Sequence, residues 1–172
     1  LKFYIEILFE RFLMVRKRIV LSSSGVIGDM FTKCGLDANV LVDLVLYPKA
    51  KEYFQERGYS FPDKFLCTLH QCIGEAKGVL INRYEYSEEK ANQELDRIIE
   101  EFMIEKSPAV VVEDDIEVVE EIGQKYGLND EDVPIIYGFW KLKINIVVVR
   151  DNAFENTCKE LNINAIRWPS FS

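Results

Sequence analysis

The chain has 172 residues, 48% of them hydrophobic, which is enough for one domain with a real core and too little for two full ones. A formal net charge of −8 excludes an electrostatic, sequence-blind grip on nucleic acid, so any phosphate contact needs a metal ion or a local basic patch. No run approaches the ~18 apolar residues of a membrane span, and the four cysteines with one histidine build no structural zinc site. Cys34, Cys67, Cys72 and Cys158 read instead as buried thiols of a protein in a reducing cytoplasm.

In chain order, the first element is an arm. Leu1, Ile5, Leu8, Phe9, Phe12 and Leu13 share one helical face, and Arg16-Lys17-Arg18 follows where a helix C-terminus favours cations, so an amphipathic helix is predicted. Lys2, Glu6, Glu10 and Arg11 interrupt it too often for a signal-peptide core. It is an arm packed on its own domain or an interfacial, dimerising helix. Ser22-Ser23-Ser24-Gly25 reads as a linker, which divides the chain into residues 1–29, arm and linker, and residues 30–172, an α/β domain.

Phe31 to Leu36 is a predicted strand ended by Asp37-Ala38-Asn39. Val40, Leu41, Leu44 and Val45 then repeat at helical spacing up to Pro48. Lys49 to Arg57 is a short helix closed by Gly58, and Phe61-Pro62-Asp63 opens a longer one through Tyr84. On that helix Glu75 falls among Gly74, Ala76 and Gly78, an odd place for a carboxylate. Ser87 to Lys106 is an acidic surface helix, Ala109 to Val112 a buried strand, and Asp115 to Tyr126 a helix ended by Gly127.

The stretch from Leu128 to Phe154 reads as turn, helix, turn, strand. Asn129 to Asp132, including Asp130, suits a helix start, and Pro134 is harmless only in a first turn, so a helix from Glu131 or Asp132 to about Leu142 is predicted. Ile144 to Val149 is β-branched enough for a strand covered on both faces, and it stops at Arg150-Asp151-Asn152. A helix to Leu161 and a strand near Asn164 to Arg167 finish the chain. Alternating strands and helices predict a three-layer α/β/α domain around a mainly parallel sheet.

Asp37 and Asp151 end strands, Asp132 begins a helix and Glu75 sits among small residues. A doubly wound sheet brings such positions to one edge, where ligands bind. Carboxylate oxygens are what Mg²⁺ or Mn²⁺ prefers, and without a metal so many acids would repel one another. Taken singly, each acid has an ordinary structural role: Asp132 as a helix cap, Asp37 and Asp151 as turn residues.

The ordered segments LDANVLVD (Leu36 to Asp43), IGEAKGVL (Ile73 to Leu80), DVPIIYGFW (Asp132 to Trp140) and VVVRDNAF (Val147 to Phe154) resemble the PIN domain. That parallel-sheet nuclease fold includes the toxin ribonucleases of VapBC-type toxin-antitoxin pairs. The resemblance covers about Met30 to Trp168. It implies a Mg²⁺- or Mn²⁺-dependent endoribonuclease with Asp37, Glu75, Asp132 and Asp151 as metal-binding acids. It implies supporting roles for Asn39, Asp130 and Arg150, an RNA substrate, an antitoxin partner and a homodimer. Val149 departs from the pattern, which commonly has threonine or serine there. Lys49, Lys51, Lys141, Lys143 and Arg150 are the expected phosphate contacts.

Two other classes stay open. A hydrophobic strand ending in Asp37-Ala38-Asn39-Val40 is similar to the haloacid-dehalogenase pattern, in which an aspartate is phosphorylated, although a second aspartate is usual where Asn39 stands. A PIN-like module without activity would serve as a scaffold or RNA-binding subunit.

Overall fold

The computed structural model describes residues 32–57 and 64–171. The expected N-terminal helix, and the turn at Phe61-Pro62-Asp63, lie outside the described residues. From the first described residue the elements are β1 (Thr32–Leu36), α1 (Ala38–Leu46), α2 (Pro48–Glu56), β2 (Lys64–Leu69), α3 (His70–Tyr84), α4 (Glu88–Glu101) and β3 (Glu105–Ser107). They continue with α5 (Ile116–Tyr126), α6 (Val133–Lys141), β4 (Ile146–Val149), α7 (Asn152–Glu160) and β5 (Asn164–Arg167).

The five strands form one sheet in the order β3-β2-β1-β4-β5, and every pairing is parallel. Helices α1, α3 and α4 pack on one another, as do α5, α6 and α7. Right-handed crossovers require this division, because the chain winds one way from β1 to β3 and the other way from β4 to β5. The three-layer α/β/α architecture expected from the sequence is therefore observed. Leu36, Leu66, Val147 and Val148 are buried within the sheet, while Leu41, Leu44, Leu80 and Ile98 fill one helical layer and Ile136, Phe139 and Phe154 the other. No helix among the described residues is long and apolar enough to cross a membrane.

Three boundaries differ from the expectation, each for a physical reason. The long helix through Tyr84 begins only at His70, because Lys64–Leu69 is a strand. It is an interior strand, paired with β1 and β3, and it enters α3 with no turn residue between. The acidic helix stops at Glu101 rather than Lys106. The chain turns at Met103, which holds a left-handed φ of 52° that sequence signals normally assign to glycine. Finally, Ala109 to Val112 is not a strand. The strand is Glu105–Ser107, Pro108 follows it, and Val111 and Val112 are 78% and 53% exposed.

Gly127, at φ 70°, ends α5 as its position predicts. Gly35 is needed for contact rather than conformation, since a Cβ there would lie 2.7 Å from the Phe139 ring.

Candidate active site

The strand order reverses between β1 and β4, which pair through Leu36 and Val148. That is the topological switch point, and the crevice beyond the carboxyl ends of these two strands is where an open α/β sheet binds ligands. The next residue after β1 is Asp37. Two residues beyond β4 stands Asp151. Their adjacency is built by the backbone, for the Asp37 amide donates to the Val148 carbonyl at 3.3 Å.

Asp37 is buried, 5% exposed. Burial pushes its carboxyl above the usual value, and amides of Ala38 and Asn39 with the Asn39 side chain hold it down in part. Asn39 Nδ2 donates to Asp37 Oδ2 at 3.2 Å. Asp151, expected as a turn residue, caps α7, its Oδ1 accepting the Phe154 amide at 2.9 Å. The cap uses one oxygen and leaves the other for a ligand.

Asp132 is different. It precedes α6, yet its side chain makes no capping bond. Its carboxyl is pushed up to about 6, first by burial, then by the charges of Asp37 and Asp151, with Asn129 pulling the other way. Glu75, in the second turn of α3, is pushed up to about 7 by partial burial and by the charges of Asp37, Asp132 and Glu131. Because the Glu75 residue is open to solvent, its neighbours' charges are an essential part of that rise. At the carboxyl edge of the sheet, then, the charges of Asp37 and Asp132 reach Glu75, and those of Asp37 and Asp151 reach Asp132.

The arrangement is a loose notch. Among the described residues no three histidine, cysteine, aspartate or glutamate side chains are already gathered to hold a metal ion. The donor set nonetheless has the chemistry of a hard-cation site: oxygens only, with negative charge in excess. The thiols of Cys72 and Cys158 lie within the field of Asp37, and burial first, that charge second, pushes both upward. All four cysteines are free and buried, as expected.

The expected phosphate contacts do not join the notch. Lys141 stands at the far end of α6 from Asp132, about 13.5 Å away by helical rise, and Lys143 follows just past that end. Lys141 is also taken up by Glu113 at 2.7 Å and Asp115 at 2.9 Å. Lys51 pairs with Glu101 at 2.9 Å, and Lys49 is exposed beyond the distal end of α1. Asp130 is an exposed residue of the turn before α6. Arg150 does stand near, lowering the Asp37 carboxyl, but its guanidinium is bound to Asp43.

Asp43 is the residue that sequence reading missed. It is 4% exposed in α1, and its Oδ2 accepts Trp168 Nε1 at 2.8 Å as well as Arg150 Nη2. A single acid inside the apolar run NVLVDLVL was the available signal, because a buried charge must be paired. Glu131, whose charge acts on both Glu75 and Asp132, is a second acid facing the notch.

By sequence, the chain matches no protein-family model and no curated protein. Its structure is similar to the crystal structure of PAE2754 from Pyrobaculum aerophilum, with a TM-score of 0.50 and 17% identity over 81% of this chain and 92% of that one. Identity this low carries likeness of fold alone, and function has to be argued from the site.

Proposed function

We propose that the protein is a PIN-type endoribonuclease that depends on Mg²⁺ or Mn²⁺ and hydrolyses phosphodiester bonds at the notch of Asp37, Glu75, Asp132 and Asp151. The observation that carries this reading is that Glu75 and Asp132 are pushed up to about 7 and about 6, each by burial first and then by the charges of acids on other elements, with Asp37 acting on both. Repulsion of that kind is costly without a cation and is what a divalent ion relieves.

In this reading Asp37, Asp132 and Asp151 hold the ion. When bound, it supplies charge neutralisation and a water acidic enough to attack near neutral pH. Glu75, solvent-open and within the field of Asp37 and Asp132, is placed to accept the proton of that water. Asn39 orients Asp37. RNA as substrate, an antitoxin partner and a homodimer rest on the resemblance of the four sequence segments to the PIN family. The paired or distant lysines leave Arg150 as the cation that stands nearest the notch among those expected to touch phosphate.

The test is cleavage of single-stranded RNA in Mn²⁺ by the wild type, Asp37→Asn and Asp151→Asn. Both variants are expected to lose metal-dependent cleavage with the fold intact by circular dichroism, and undiminished cleavage rejects the assignment. The aspartyl-phosphate alternative is weakened by Asn39, whose amide donates to Asp37 but cannot act as an acid. A trapped phosphoaspartate at Asp37 would reverse the ranking.

A further inference from the structure

We propose that Asp43 is the counter-ion that holds the Arg150 guanidinium away from the acid notch, so that the notch keeps its charge for a cation. The inference rests on the metal-site reading above. Arg150 directly precedes Asp151, and its charge already reaches Asp37. A guanidinium beside four carboxylates is the simplest neutraliser the chain could offer, and paired with Asp37 or Asp151 it would occupy the place of the ion. It points elsewhere. Its Nη2 binds Asp43 Oδ2 and reaches the Pro169 carbonyl at 3.4 Å.

The hold is specific to Asp43. This carboxylate is fixed in α1 and takes a second hydrogen bond from Trp168 Nε1 at 2.8 Å, and Trp168 is itself wedged against Tyr53 and Phe54 with ring centroids 5.5 and 6.0 Å away. Burial pushes the Asp43 carboxyl up, and the bonds from Trp168 and Arg150 act in the opposite direction. The guanidinium is held by one nitrogen rather than by a two-pronged fork, and its Nε is buried with no hydrogen-bond partner. Such a grip leaves Arg150 free to exchange Asp43 for a stronger acidic partner once the charge at position 43 is gone. Asp43 is therefore a positioning residue, acting on the site through Arg150.

The experiment measures Mn²⁺ binding by calorimetry for the full chain as wild type, Asp43→Asn, Arg150→Met and Asp43→Asn/Arg150→Met, with a metal-free crystal structure of Asp43→Asn. Asp43→Asn keeps an acceptor for Trp168 and removes only the charge. It is expected to weaken Mn²⁺ binding by roughly 10- to 100-fold, the range for outer-shell partners of metal sites. The double variant is expected to return to the wild-type affinity, and the crystal structure to show the guanidinium against Asp37 or Asp151. A merely structural strut gives lower stability without that rescue. Unchanged affinity in folded Asp43→Asn, or a loss that Arg150→Met does not restore, overturns the proposal. Should the wild type bind no Mn²⁺, the proposed function fails while the crystal structure still decides: a guanidinium turned into the notch upholds the counter-ion role, and an unmoved one overturns it. Should Asp43→Asn fail to fold, Arg150→Met alone decides, an affinity at or above wild type supporting the proposal and a lower one overturning it.

Discussion

Replacing Asp132 by asparagine should make the metal-free protein more stable while removing its capacity for metal. The folded state raises this carboxyl from 3.8 to about 6, a difference of about two pKa units, which unscreened is ~3 kcal/mol. Asp132 is partly exposed, so screening about halves that figure. A negative charge at the start of α6 contributes roughly 0.5 kcal/mol in the opposite sense, leaving a net gain of about 1 kcal/mol for Asp132→Asn at pH 8. No cap is lost, since the side chain makes no capping bond. A carboxyl whose folded pKa is raised leaves stability whole below its unfolded pKa and lowers it as pH climbs through the folded one. The advantage of Asp132→Asn should therefore shrink to about a third at pH 4.5. Urea unfolding in EDTA at the two pH values measures both numbers. With Mn²⁺ added at pH 8 the order should invert, because only the wild type gains stability from binding. An Asp132→Asn protein no more stable than wild type in EDTA at pH 8, or equally favoured at pH 4.5, would refute the claim that burial and its neighbours' charge raise this acid in the folded state.

Gly35→Ala puts a methyl 2.7 Å from the Phe139 ring and 3.2 Å from Ile144, both fully enclosed, and should cost about 1–3 kcal/mol of unfolding free energy in urea. Met103→Gly relieves a left-handed residue that is 45% exposed, and a gain of up to about 1 kcal/mol is expected; a loss would mean that the Met103 side chain contributes packing its exposure hides. Burial pushes Cys67 up to about 12 and raises Cys72 and Cys158 as well, so a thiol reagent at pH 8 should modify none of the four cysteines in the native state and all of them in denaturant.

The parallel architecture was legible because its signals are local. Apolar runs end in aspartate at Leu36-Asp37 and just past Val149, and Gly127 and Pro134 punctuate helices as such residues must. Strand β2 was not legible. Its Leu66 and Leu69 also fit a helical stripe with Ile73, and no turn residue marks the passage from Leu69 into α3, so only pairing on both sides separates strand from helix. The end of α4 was hidden for the converse reason, a methionine doing what glycine usually does. At the site, the four acids could be picked out because each interrupts an apolar or small-residue pattern. Asp43 does so too, but its meaning depends on Arg150 and Trp168, 107 and 125 residues away, which spacing along the chain cannot pair. The placement of the lysines was hidden because composition says nothing of which end of a helix they occupy or which acid they meet.

Where these cations lie bears on how a polyanion would approach the proposed site. The notch lies at the carboxyl edge, and three of the five cations expected to receive phosphate pair with acids: Lys51 with Glu101, Lys141 with Glu113 and Asp115, Arg150 with Asp43. Under the proposed function, a chain charge of −8 makes a bound ion the first candidate for the charge that recruits phosphate. Cation binding would then be a condition for substrate binding as well as for hydrolysis. RNA affinity measured with the non-cleaving Asp151→Asn variant should fall with that variant's loss of metal, whereas a basic groove would hold RNA in EDTA and show a steep salt dependence. Retained, salt-sensitive binding in EDTA would place the recognition surface outside the acid notch and separate binding from chemistry.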